Sequence, residues 1–223
     1  VTFKTWFDAG FTDLIPVIPP DARLNAFSKV RADQRGKVPG TRRAQGDWIG
    51  MRDWTTRPTT AQDCAEWEKW YRGSPSIGLR ATHFPALDID VEVPEVAEAI
   101  LGLAAQHFGA SAVRRREGSS KCLIQYVTDA PFKRMRLWFK HPSLDKAQLV
   151  EVLGDGNHYL IEGMHQSGTQ YRWDDAPDAR PITAESAADY LSRASGLLAF
   201  YGCTDIELEG SARAATERAE PSS

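Results

Sequence analysis

The stretch Leu87-Asp88-Ile89-Asp90-Val91 decides how the rest of the chain is read. Apolar and acidic residues alternate with period two, the pattern of a β-strand with one buried face. Leu87, Ile89 and Val91 then point into a core, and Asp88 and Asp90 stand together on the other face. Strand rise places their Cα atoms about 6.5 to 7 Å apart. Two carboxylates at that spacing repel unless a cation sits between them, and hard divalent metals use such oxygen ligands. Taken alone, the alternation equally fits a solvated strand face. Val150-Glu151-Val152 repeats it, with valines inward and Glu151 opposite. If the two strands share a sheet, Glu151 closes a three-carboxylate cluster with Asp88 and Asp90. Glu92 continues the same face.

Outward from these strands, helices and strands intermix without strict βαβ alternation, which points to an α+β sheet with antiparallel pairs. A short helix is expected over residues 2–10, ending at Gly10, then a strand over Leu14 to Ile18 stopped by Pro19-Pro20. Residues 21–58 have little periodicity and read as a long loop. Thr60 caps a helix to about Tyr71. Residues 76–80 and 85–91 read as strands joined by a short turn. Pro94 opens a helix to about Phe108, closed by Gly109. Residues 112–116 and 122–127 form a second strand pair, and 148–153 with 158–162 a third, turning at Gly154-Asp155-Gly156-Asn157. Short strands are expected near Leu137 to Phe139 and Gln170 to Trp173. Thr183 caps a last helix to about Phe200. One domain over 1–205 is expected, with 206–223 a tail or linker, plainly aperiodic from Ser211.

The 223 residues suffice for a real core, and 42% apolar with 26% charged residues argues against wholesale disorder. No run of about eighteen apolar residues exists to span a membrane, and Val1-Thr2-Phe3-Lys4 does not open like a secretory leader. Three scattered cysteines, Cys64, Cys122 and Cys203, make neither a disulfide framework nor a zinc ribbon. A reducing cytoplasm is the expected compartment.

The net charge of −3 hides two basic windows. Residues 23–57 and 113–146 each carry nine Lys/Arg against three Asp/Glu. Such segregation allows a local positive field on a weakly acidic protein and suits a polyanionic ligand, although charge runs are commonly just solvated faces. In Arg114-Arg115-Arg116-Glu117-Gly118-Ser119-Ser120-Lys121, turn amides, two hydroxyls and Lys121 can bind phosphate oxygens. This is not a Walker A loop, whose spacing is absent. His165 lies in the polar turn Gly163 to Gly168, ahead of Tyr171-Arg172-Trp173. Lys37, Arg42, Arg43 and Arg52 are interleaved with Trp48 and Trp54, a mixture that suits single-stranded nucleic acid. The tryptophans serve equally as core anchors. HExxH, GxSxG and GxGxxG are all absent.

The order of these segments resembles the primase-polymerase domains of the archaeo-eukaryotic primase superfamily, as carried by plasmid, phage and mobile-element replication proteins. The resemblance runs from about Phe3 to about Trp173. It rests on the Ile15-Pro16-Val17 strand, Gly36-Lys37-Val38-Pro39 with Trp54, Gly78-Leu79-Arg80, Asp88-Ile89-Asp90, Val150-Glu151, Gly154-Asp155-Gly156, and the ending from His165 to Trp173. Where many members carry Ser-x-His, this chain has Ser119-Ser120-Lys121, which is similar to a bacterial and phage branch. The resemblance implies an RRM-like antiparallel catalytic core with a smaller α/β accessory half. It implies two Mg2+ or Mn2+ ions on Asp88, Asp90 and Glu151. Ser119, Ser120, Lys121, His165, Arg80 and Lys37 would bind the nucleotide. Arg114, Arg115, Arg116, Arg42, Arg43 and Arg172 would bind nucleic acid. The partners implied are a single-stranded DNA template and primer, dNTP or NTP, and a fused or separate helicase. Two other readings fit the residues: a replication-initiator or nucleic-acid-binding module without catalysis, and a two-metal nuclease.

Overall fold

In the computed structural model, which describes residues 1–176 and 178–210, the chain divides into two compact units. The first comprises residues 1–80 and 158–172. The second comprises residues 81–157 and those from Trp173 onward. No helix among the described residues is long and apolar enough to cross a membrane.

The first unit opens with helix α1 (Phe3–Asp8), whose N-cap Thr2 accepts from the Thr5 amide. Its small sheet has β4 (Ile77–Arg80) in the middle, antiparallel to β1 (Leu14–Pro16) on one side and β10 (His158–Glu162) on the other. Every residue of β1 and β4 is buried. Helix α2 (Ala61–Glu68) starts at a reciprocal capping box between Thr60 and Asp63. Its Trp67 packs edge-on against Phe3, ring centroids 5.4 Å apart. Residues 21–58 are not the featureless loop that their composition suggests. They hold a 3-10 turn at Ala32–Gln34 and a hairpin of β2 (Gly40–Arg42) with β3 (Trp48–Gly50). Gly40 permits the hairpin to press on β1's continuation, because a Cβ there would stand 2.1 Å from Ile18 Cγ1.

The second unit is built on a larger antiparallel sheet. Its strands are β5 (Ala86–Asp90), β6 (Val113–Arg116), β7 (Cys122–Val127), β8 (Met135–Lys140), β9 (Gln148–Leu153) and β13 (Thr204–Glu209). Within the unit they lie in the order β6-β7-β5-β9-β8-β13. Strand β11 (Tyr171–Trp173) spans the point where the chain re-enters this unit, and β12 (Arg180–Pro181) runs parallel to β7. Helices α3 (Pro94–Phe108) and α4 (Ala184–Phe200) pack on one face of the sheet. Leu87, Ile89, Val150 and Val152 meet Ile100, Ala104, Leu191 and Ala194 there in one apolar core. The buried Tyr190 hydroxyl donates to the Ile100 carbonyl, 3.0 Å away, and joins the two helices. The helices consume one face of the sheet, so polar side chains collect on the other.

Three expectations need correction. β4 and β5, read as a connected strand pair, belong to different sheets, and so do β9 and β10. Both edges of β9 are taken by β5 and β8, which leaves nothing for β10 to pair with there. Thr204–Glu209 forms an edge strand on β8, so the fold continues past residue 205. The rest of the expected tail, 211–223, lies outside the described residues.

Candidate active site

Antiparallel register aligns one row of side chains across the second unit's open face. Arg114, Leu123, Asp88, Glu151, Arg136 and Glu209 are successive partners from β6 to β13. Asp88 and Glu151 are direct cross-strand neighbours, a relation that brings Cβ atoms to about 4.5–5.5 Å. Asp90 stands two residues along on the same face, opposite Leu149. The two segments that the sequence marks as acidic are therefore adjacent strands, and their three carboxylates share one face.

These carboxylates are held at an electrostatic cost. Asp88 is half-buried, and desolvation, partly offset by Arg114 and reinforced by Glu151 and Asp90, pushes its carboxyl up to about 7. Burial also raises Glu151, against the pull of Arg136. The Glu151 side chain is 12% exposed, with Arg134 and Arg136 nitrogens 3.6 and 3.7 Å away. At those lengths the contacts are electrostatic, and the buried Oε2 has no hydrogen-bond partner among the described residues. Asp90 takes its cation from Lys121, whose Nζ lies 2.6 Å from Oδ1 and 3.1 Å from Glu92. Lys146 reaches Glu92 at 2.6 Å, and the two lysines hold Glu92 below the usual carboxylate range. Burial is the largest single influence on Lys121 and lowers it, but the hydrogen bonds and charges of Asp90 and Glu92 together raise it.

Ser119, Ser120 and Lys121 lie on the turn between β6 and β7, beside Asp90. The Ser120 hydroxyl donates to the Val91 carbonyl at 2.7 Å, and the Lys121 amide donates to Ser119 Oγ at 3.3 Å. The turn is thus tied to the end of β5. Arg115 points the other way from Arg114: its guanidinium lies 2.9 Å from Glu98 on α3. Arg116 follows Arg114 on the open face, half-buried. Lys37, Arg42, Arg43, Arg80, His165 and Arg172 all belong to the first unit. There Arg80 is committed to a buried ion pair with Asp13 and donates to the Arg57 carbonyl at 2.7 Å. Arg43 lies 3.8 Å from Asp47, and His165 Nδ1 lies 2.8 Å from Ser167 Oγ within its own turn. Lys37 and Arg172 are exposed.

Two residues at the site escape the sequence reading. Arg136 is in line with Glu151, and the alternation Arg136, Trp138, Lys140 along β8 was the available signal. Gln125 is buried on the open face of β7, diagonal to Asp88, and neither of its amide atoms has a partner among the described residues. A lone glutamine inside Cys122-Leu123-Ile124-Gln125-Tyr126-Val127 carries that information.

Hard oxygen donors crowded on one face are the chemistry of a divalent-cation site. The orphaned Glu151 oxygen and the raised Asp88 fit that use. Among the described residues no three His, Cys, Asp or Glu side chains already stand in a metal-holding geometry, and Asp90 is paired with Lys121. No curated protein matches the chain. The family model for the N-terminal domain of bifunctional DNA primase/polymerases matches residues 7–187, a span holding every acidic and basic residue of this site except Glu209. Membership implies primase or polymerase activity in general, with DNA and nucleotides as substrates. On that match over about four-fifths of its length, the chain belongs to the bifunctional DNA primase/polymerase family.

Proposed function

We propose that the chain is a template-dependent nucleotidyltransferase that extends or starts a primer on single-stranded DNA, with Asp88, Asp90 and Glu151 as ligands for two Mg2+ or Mn2+ ions. The observation that carries this reading is the direct pairing of Asp88 with Glu151 across β5 and β9, with Asp90 on the same face. Bound ions of this kind polarise a phosphoryl oxygen and lower the pKa of an attacking hydroxyl.

The chain's own residues supply the rest. Lys121 bridges Asp90 and Glu92, so its ammonium is already positioned at the edge of the carboxylates. With a divalent ion held by Asp90, Lys121 would be free to face a triphosphate, with Ser119 and Ser120 on the same turn. Arg114 and Arg136 flank the acids in the same row and oppose excess negative charge as a substrate phosphate arrives. Arg80 is left out of the nucleotide contacts because Asp13 holds it.

Primer extension on a single-stranded template with Mg2+ or Mn2+ tests the proposal. Asp88→Asn and Glu151→Gln are each expected to lower the rate about 100-fold or more, in line with several kcal/mol of charge stabilisation. Full turnover in the Asp88→Asn enzyme would refute the assignment. Release of nucleotides from DNA without added triphosphate would favour a nuclease instead.

A further inference from the structure

The first unit contains a cleft of about 710 Å3, a size typical of sites for small organic ligands. It lies within that unit, between the hairpin β2–β3 and the segment following α2, and contains none of the three carboxylates. Its floor is aromatic. Trp48 is buried, with Trp70 edge-on at 5.9 Å between ring centroids and Tyr71 tilted at 5.4 Å. The Tyr71 hydroxyl lies 2.8 and 3.0 Å from the carbonyl oxygens of Val17 and Ser76, which fixes its ring. Trp70 is half-exposed, and its indole N–H donates to Glu66 at 3.4 Å. An exposed Met164 stands at the rim.

The charge around this floor is lopsided. Arg23, Arg42 and Arg72 line the cleft against one acid, Asp21. Arg23 spends a donor on the Gln45 carbonyl at 2.9 Å. Arg42 and Arg72 make no ion pair among the described residues. A rigid aromatic floor under unpaired guanidinium groups suits a flat base joined to an anionic backbone.

We infer that this cleft holds a nucleotide of single-stranded DNA, with the base against Trp70 and adjoining phosphates facing Arg42 and Arg72. The inference rests on the primase-polymerase reading in taking that strand to be the template. Binding here needs no divalent ion, because no carboxylate of the candidate metal site takes part.

The test is anisotropy of a fluorescein-labelled oligo-dT in EDTA, with the full chain. Trp70→Leu keeps apolar bulk but removes the π-face, and it is expected to weaken binding about tenfold, with Trp70→Phe restoring most of it. Arg42→Gln with Arg72→Gln is expected to lower the slope of log affinity against log salt by about 1.4, roughly 0.7 for each phosphate that is no longer neutralised. Arg193→Gln on α4, which pairs with Asp189, is the surface-charge control and should bind like the unaltered protein. Affinity within twofold of normal in the double arginine variant overturns the inference, and that variant decides alone if Trp70→Leu melts early. Displacement of the oligonucleotide by free dTTP at matched nucleotide concentration overturns it in favour of a mononucleotide site. An affinity change that tracks self-association of the protein overturns it in favour of a protein interface. The two proposals fail separately: Asp88→Asn with full turnover sinks the polymerase reading and leaves the EDTA measurement standing.

Discussion

Asp88 is where the molecule's electrostatic cost concentrates, and its sign is testable. The ordinary aspartate value is about 3.9, whereas burial lifts this carboxyl to about 7. Between those values the folded state binds more protons than the unfolded state, so this group's contribution falls as pH rises from about 4 to about 7. Asp88→Asn should therefore stabilise the metal-free protein above pH 7 and change little at pH 4. The gain is about 2 kcal/mol after allowing for solvent reaching a half-buried group, or roughly 4 to 8 °C in melting temperature. Melting curves in EDTA at pH 4 and pH 8 check this, and an equal shift at both would refute it. Added Mn2+ should raise the melting temperature of the unaltered chain at pH 8 and leave Asp88→Asn nearly unmoved.

Gly154 shows how tightly one element constrains the next. It follows β9, and a Cβ there would lie 2.2 Å from the Phe132 carbonyl oxygen. The obstacle is backbone, which cannot swing aside. Gly154→Ala should cost about 3 kcal/mol, read as a lowered urea midpoint with unchanged slope. The same neighbourhood shows what a sequence discloses about pairing. The alternation in Leu87-Asp88-Ile89-Asp90-Val91 and in Val150-Glu151-Val152 marks both strands and the face of every acid, because period two is local. The turn at Gly154 to Asn157 marks only that a strand ends. It does not say that β10 goes to β4 in the other unit, because that depends on β5 and β8 already filling both edges of β9. Ile206 and Leu208 packed on the core identify β13 as strand, but Glu207 and Glu209 between them make the segment look like the start of a polar tail. Arg115 was misleading for the same reason in reverse: a run of three arginines looks uniform, and strand alternation sends the middle one to Glu98.

At the scale of the molecule, the units are interleaved along the chain. The first is completed only by residues 158–172, and the second only by those beyond Trp173. β4 is the central strand of its sheet, so a fragment of residues 1–80 lacks β10 and leaves one edge of β4 bare. That fragment should show no cooperative thermal transition by circular dichroism, and a sharp one would show that β1, β4 and the two short helices suffice. The candidate carboxylates were legible early because strand alternation is local and assigns each of them to a face. Cations such as Arg80 and His165 were not assignable by type alone, since a guanidinium tied to Asp13 reads in sequence like one awaiting phosphate.

That interleaving has a consequence for synthesis. β4 must be made long before β10 exists, while β8 waits in turn for β13 at its edge. Neither sheet can close until these later strands have left the ribosome. Partnerships this distant along the chain fold slowly, and the waiting strands present open edges meanwhile. Proteolysis of stalled nascent chains should find β4 unprotected until residues past 162 have emerged, and protection before then would contradict it. The three acids thus cannot come together until β9 has been made, about sixty residues after Asp88.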